Sequence, residues 1–170
     1  MEKVTVSAAA GVLIQSVSKS VLKQRRSNLN IVKIEEGRKL VITDGRRLFI
    51  IKIESDIAPD AYEIMSVLKR GKYMYDVILA PTDNQFPDYR SIITSMVPDT
   101  TNAQPVSLDD SLDPSFAAVR VFKALGVCVA HEFLFTAIKA GLDVYKAKQD
   151  NAVYFKSEAI EGVCLGMEVK

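Results

Sequence analysis

His131 is the only histidine of the chain, and Cys128 and Cys164 are the only cysteines. Nucleophilic or metal chemistry therefore has few residues to draw on. Cys128 precedes His131 by three positions, but a Cys–His pair needs a base poised on the thiol, and nothing near it in sequence offers an orienting acid. At the start of an expected helix, His131 reads as a cap or surface residue. Both cysteines lie in apolar runs, Gly126-Val127-Cys128-Val129 and Gly162-Val163-Cys164-Leu165, the setting of buried, reduced thiols. Two Cys and one His do not complete a structural zinc site without carboxylates. Asp109, Asp110 and Asp113 cluster, but as loop and cap residues they read as solvated. No Walker loop and no Gly-x-Gly-x-x-Gly occurs. The expectation is no catalytic residue, no metal, no cofactor and no enzyme.

Composition points the same way. The 170 residues suit one ordinary domain or two small halves, and 48% hydrophobic with 25% charged residues is the profile of a globular protein. Trp is absent, so seven Phe and six Tyr supply the aromatic bulk. The 22 basic and 21 acidic residues leave a net charge of +1, which excludes a polybasic nucleic-acid arm but not a local basic surface. The opening Met1-Glu2-Lys3-Val4 is not a charged-then-apolar leader, and no apolar run nears the ~18 residues of a membrane span. A cytoplasmic protein without membrane contact is expected.

What does stand out is three short segments: Val41-Ile42-Thr43-Asp44-Gly45-Arg46-Arg47-Leu48, Gln85-Phe86-Pro87-Asp88-Tyr89-Arg90-Ser91-Ile92-Ile93, and Gly162-Val163-Cys164-Leu165-Gly166-Met167-Glu168. In this order they resemble the bacterial DNA polymerase III beta subunit, the sliding clamp. That family carries a strand ending in Thr-Asp-Gly-His-Arg-Leu, a later Phe-Pro-Asp-Tyr-Arg-Arg-Val, and a closing strand with Met-Pro-Met-Arg. Phe-Pro-Asp-Tyr-Arg is the most specific of the three. The close likeness is confined to these stretches, while the order of elements resembles the family over most of the chain.

The resemblance implies a site as well as a fold. In the family the three segments meet in a hydrophobic pocket that receives a short linear motif from polymerases and other replication proteins. Carried over, Thr43, Gly45, Arg46, Arg47 and Leu48 line one side, Pro87 and Ile92 another, and Val163 and Leu165 come from the last strand. Leu48, Pro87, Ile92, Val163 and Leu165 would floor it, and Arg46 or Arg47 would meet an acidic or carbonyl group. Arg46 replaces the family's His, giving a longer, permanently charged rim. Gly166 replaces the usual Pro, implying a less rigid last strand.

The resemblance also implies contact with duplex DNA phosphates, without sequence reading. The candidates are Lys19, Lys23, Arg25 and Arg26, then Arg120, Lys123 and Lys139. A clamp protomer of the family has three domains and this chain has room for fewer. Encircling DNA would therefore require closed homo-oligomerisation, and the expectation is a compact version of the phage or mobile-element kind. The alternative is a clamp-fold interaction module that binds or competes for clamp partners without forming a ring.

The elements that must position these residues follow from periodicity. Residues 2–7 alternate as a strand, and Ser7 caps a helix running to about Leu22. Strands follow around Val32 and Ile34, over Leu40–Thr43 and over Arg47–Glu54, with turns at Glu35-Glu36-Gly37-Arg38 and Asp44-Gly45. Residues 59–71 fit either a helix opened by Pro59 or one arm of a hairpin. Tyr73, Tyr75, Val77 and Leu79 alternate as a strand. Residues 80–112, rich in Pro and polar residues, form the longest connector, and the halves are placed at 1–95 and 96–170. Asp113-Pro114 opens a helix whose expected buried stripe is Phe116, Val119, Phe122 and Leu125, ending at Gly126. A helix from Ala130 to Ala140 and strands at 144–147, 152–156 and 162–169 complete the chain. The class is α+β, of sliding-clamp type, with helices packed on antiparallel sheet.

Overall fold

The computed structural model describes residues 1–24, 29–101, 103–106, 108 and 113–167. The chain falls into two compact units, Met1–Pro87 and Asp88–Lys170. The division comes earlier than the expected 95/96 position and cuts through the Phe-Pro-Asp-Tyr-Arg segment.

In the first unit, β1 (Glu2–Ser7), β2 (Ile31–Glu35), β3 (Lys39–Thr43), β4 (Arg47–Lys52), β5 (Ala61–Arg70) and β6 (Met74–Pro81) lie in the order β1-β6-β5-β2-β3-β4, antiparallel throughout. The helix α1 (Ala8–Lys23) covers one face. It starts where expected, because the Ser7 hydroxyl accepts the Ala10 N–H and so satisfies a first-turn donor that has no partner within the helix. Its apolar side, Leu13, Ile14, Val17 and Val21, is buried. Gly11 lets the helix close on the sheet: a Cβ there would sit 2.2 Å from the Tyr75 ring.

Residues 59–71 resolve as the hairpin arm. Ala61, Tyr62 and Ile64 turn inward while Met65 and Leu68 stay in solvent, so the helical reading, with Ala61, Ile64, Met65 and Leu68 on one face, is overturned. The strand slips register between Ile64 and Ser66. Asn30 stitches that bulge. Its Nδ2 donates to the Ile64 carbonyl at 2.9 Å, and its Oδ1 accepts from the Ser18 hydroxyl at 2.7 Å. A buried amide thus ties α1, β2 and β5 together with its polar atoms satisfied.

In the second unit, β7 (Asp143–Lys146), β8 (Ala152–Lys156) and β9 (Ile160–Leu165) form an antiparallel meander. With them go α2 (Arg90–Met96), α3 (Pro114–Leu125) and α4 (His131–Lys139). Leu134, Ala137, Val144, Tyr154, Phe155 and Cys164 form its core. The Tyr154 hydroxyl donates to Glu161 Oε2 at 3.0 Å. Burial, then the Glu161 carboxylate, pushes the phenol well above its ordinary pKa. Cys164 is buried as expected, whereas Cys128 is only half-buried; both are free thiols.

Two expectations fail here. The connector holds a helix, α2, too short for its periodicity to register. And α3, although capped by Asp113 and closed by left-handed Gly126 as expected, presents the other face to the protein. Ala117 and Val121 are buried, while Phe116, Val119 and Phe122 are 69%, 51% and 49% exposed. The helix leans on α4 and β7 through its small residues, which permits close approach. The bulky stripe, centred half a turn away, is left in solvent.

Candidate functional site

The Thr43–Leu48 segment is a turn built around a buried ion pair. Asp44 is 0% and Arg47 2% exposed, and Arg47 Nη2 lies 2.8 Å from Asp44 Oδ2. Arg47 Nε donates to the same oxygen at 3.0 Å, while the backbone N–H groups of Arg46 and Arg47 donate to Oδ1 at 3.0 and 2.8 Å. Arg47 Nη1 reaches across to the Ser16 hydroxyl of α1 at 3.0 Å. Thr43 adds a second brace: its hydroxyl donates to the Arg47 carbonyl at 2.8 Å and accepts the Gly45 N–H at 3.0 Å. Gly45 occupies the left-handed region, with φ of 84°, where a side chain would be strained. Burial alone raises the Asp44 carboxyl, but the Arg47 guanidinium and the hydrogen bonds from Arg47 and Arg46 outweigh it. The pKa therefore lies below the ordinary 3.8.

This geometry gives Arg47 a structural role. Its guanidinium is used inside the fold and offers no surface to a peptide. Thr43 and Leu48 are likewise buried, so the turn presents Gly45 and Arg46. Asp44 and Ser16 were absent from the expected site residues, yet they hold the turn that carries Arg46 and Arg47. The i,i+3 spacing of Asp44 and Arg47 was the available signal.

The Phe-Pro-Asp-Tyr-Arg segment leaves Pro87 exposed at the end of the first unit. In the second unit, Asp88 Oδ1 accepts the Arg90 N–H at 3.2 Å, and buried Tyr89 precedes α2. Ile92, on α2, is 41% exposed. α2 lies against β9, where Val163 is buried and Leu165 is 43% exposed. Ile92 and Leu165 are thus accessible aliphatic side chains on neighbouring elements. Val163 packs inward.

Gly166 corrects the expectation of a loosened strand. Its N–H donates to the Asn151 carbonyl at 2.7 Å, and the next N–H, of Met167, donates to the Cys128 carbonyl at 2.7 Å. A Cβ at Gly166 would lie 2.3 Å from Asn151 Oδ1. The strand end is pinned, and a proline there would remove the bonded N–H.

Of the cationic candidates, Lys19 and Lys23 are exposed on α1, and Arg120 and Lys123 on α3. Lys139 of α4 is also exposed and holds its Nζ 4.1 Å from the centre of the Phe135 ring. Arg25 and Arg26 lie outside the described residues. So do Asp109 and Asp110, and no group of three or more His, Cys, Asp or Glu able to hold a metal occurs among the described residues. His131 is exposed at the first position of α4.

No protein-family model matches the sequence, and no curated protein matches it. Solved structures do match. Against a putative DNA polymerase III beta subunit from Eubacterium rectale, the TM-score is 0.56 at 9% identity, covering 99% of this chain and 66% of that one. Against the DNA polymerase III subunit beta of Borrelia burgdorferi, it is 0.55 at 11% identity, covering 100% and 65%. Against the Helicobacter pylori beta clamp, determined bound to a DNA ligase peptide, it is 0.51 at 11% identity, covering 98% and 66%. At these identities the likeness shows the fold. The chain has the sliding-clamp fold, an α+β arrangement, and spans 65% to 66% of the length of these three clamps.

Proposed function

We propose that the chain is a clamp-like replication processivity factor. In this reading it performs no catalysis, assembles with further copies of itself around duplex DNA, and holds a polymerase or other replication protein by a short linear motif. The observation that carries the reading is the clamp fold over 100% of the chain. The Helicobacter pylori clamp of the same fold binds a DNA ligase peptide. Of the residues proposed for the peptide site, Gly45, Arg46 and Pro87 of the first unit and Ile92 and Leu165 of the second are exposed, whereas Thr43, Arg47, Leu48 and Val163 are buried. Aliphatic anchors of the motif would rest on Ile92, Pro87 and Leu165, and Arg46 would meet its carbonyl or acidic groups. Lys19, Lys23, Arg25, Arg26, Arg120, Lys123 and Lys139 supply phosphate contacts. No helix among the described residues is long and apolar enough to cross a membrane, and a cytoplasmic site of action belongs to the same reading.

The test is a titration of the fluorescently labelled DNA ligase peptide against wild type and an Ile92→Asp, Leu165→Asp variant. Both positions are exposed, so the variant should fold. Affinity should fall by about tenfold or more, the weight of one or two central anchors. Unchanged affinity would remove the peptide site.

A second reading is a clamp-fold module that binds partner peptides without closing a ring. Light scattering at micromolar concentration separates the two: a closed oligomer supports the ring, and a strict monomer supports the module.

A further inference from the structure

The exposed face of α3 is the least explained surface of the second unit. Phe116 (69% exposed), Val119 (51%) and Phe122 (49%) project into solvent. Together with Arg120, Lys123 and Ala124, Phe116 and Val119 line an open, shallow groove of about 520 Å³. No acidic residue occurs in α3, and neither Arg120 nor Lys123 is in an ion pair with a described residue. The neighbouring α4 repeats the pairing with Phe135, 39% exposed, under the Lys139 ammonium. Exposed rings and cations therefore stand side by side on both helices.

A smooth duplex offers such a surface only phosphates, because its base faces are stacked against one another, and phenyl rings in solvent gain nothing from phosphate. A single strand offers both components at once, phosphates for the cations and base faces for the rings. Phe116 and Phe122 stand about 9 Å apart along the helix axis, so bases seated on them would be splayed rather than stacked at the ~3.4 Å spacing of a duplex strand. A peptide motif is a poorer match. Its anchors need concave walls, and this groove is open.

We infer that the α3–α4 face binds single-stranded nucleic acid, with Phe116 and Phe122 stacking on bases and Arg120, Lys123 and Lys139 holding phosphates. The inference rests on the reading that these helices face nucleic acid, and narrows it from duplex to unpaired strand.

Fluorescence anisotropy of the full chain with a labelled oligothymidylate of about 20 nucleotides, and with a duplex of the same length, tests it. The single strand should bind about tenfold or more tightly than the duplex. A Phe116→Ala, Phe122→Ala variant should lose about tenfold or more for the single strand and less than about twofold for the duplex, given what a stacked base is worth. Phe116→Tyr with Phe122→Tyr should retain single-strand binding. Arg120→Glu with Lys123→Glu should weaken both. Equal affinities that ignore the Phe substitutions overturn the inference while leaving duplex contact standing; absence of both kinds of binding overturns the two together. The inference also fails if polyglutamate displaces the strand at equal charge concentration, which would make the face a general polyanion site. A fall in oligomer mass on Phe116→Ala, Phe122→Ala would instead make it a contact between copies, and fails it too.

Discussion

The Thr43–Leu48 turn and the α3 helix are opposites in how they use charge and apolar surface. In the turn, an aspartate and an arginine are withdrawn from water, and every contact of Asp44 is made within the fold. In α3, two cations and three large apolar side chains are given to water and have no described partner among ion pairs. A buried ion pair is a poor source of net stability but a strict source of geometry, because either charge alone is costly to leave buried. An exposed aromatic stripe forgoes the hydrophobic burial that the same side chains would gain in a core. The first region is internal scaffold; the second is exposed surface.

Substitution should separate the two. The largest effect is expected at Arg47→Ala, which strands the Asp44 carboxylate. Denaturant melts should show a loss of about 3–5 kcal/mol, and a loss below about 1 kcal/mol would place Arg47 in solvent. Gly11→Ala should come next. Alanine raises helix propensity by about 1 kcal/mol, yet the added methyl meets the Tyr75 ring, so a net loss of about 1–3 kcal/mol is expected. A gain would mean that α1 stands further from its sheet. Asn30→Ala leaves the Ser18 hydroxyl and the Ile64 carbonyl unpartnered and should cost about 1–3 kcal/mol in the same melts.

The pH dependence of the turn has a defined sign. Asp44 has a folded pKa below its unfolded value, so its contribution is complete above about pH 4 and is lost as pH falls through the lowered folded value. Melts repeated from pH 7 to about pH 2 should therefore show an acid loss that Asp44→Asn lacks. The smallest effect is expected on α3: Phe116→Ser should change stability by no more than about 0.5 kcal/mol. A loss of several kcal/mol would place Phe116 in a core.

The sequence was most legible where the determinants were local. Ser7 and Asp113 capped their helices, Gly37, Gly45 and Gly126 took positive φ, and the β2–β4 strands fell where alternation put them. It was misleading where one pattern permitted two answers. In α3, Phe116/Val119/Phe122 and Ala117/Val121 are both helical stripes. Only packing on α4 and β7 selects the smaller one for burial. Residues 61–70 carry apolar groups at spacings shared by helix and strand, and the pairings with β2 and β6 decide for strand. In the Thr43–Leu48 segment, the resemblance pointed to the turn but not to its internal wiring. Arg47 read as a pocket residue because its partner, Asp44, looked like ordinary turn chemistry. Gly166 read as a loss of rigidity because its hydrogen bond to Asn151, fifteen positions away, has no signature in sequence.

The contrast between scaffold and surface becomes a direct test of the clamp reading when amide chemical shifts are followed during titration with the DNA ligase peptide. The account predicts perturbations at Gly45, Arg46, Ile92 and Leu165, with Phe116 and Phe122 unmoved. Perturbations confined to the α3 face, or none at saturating peptide, would contradict it.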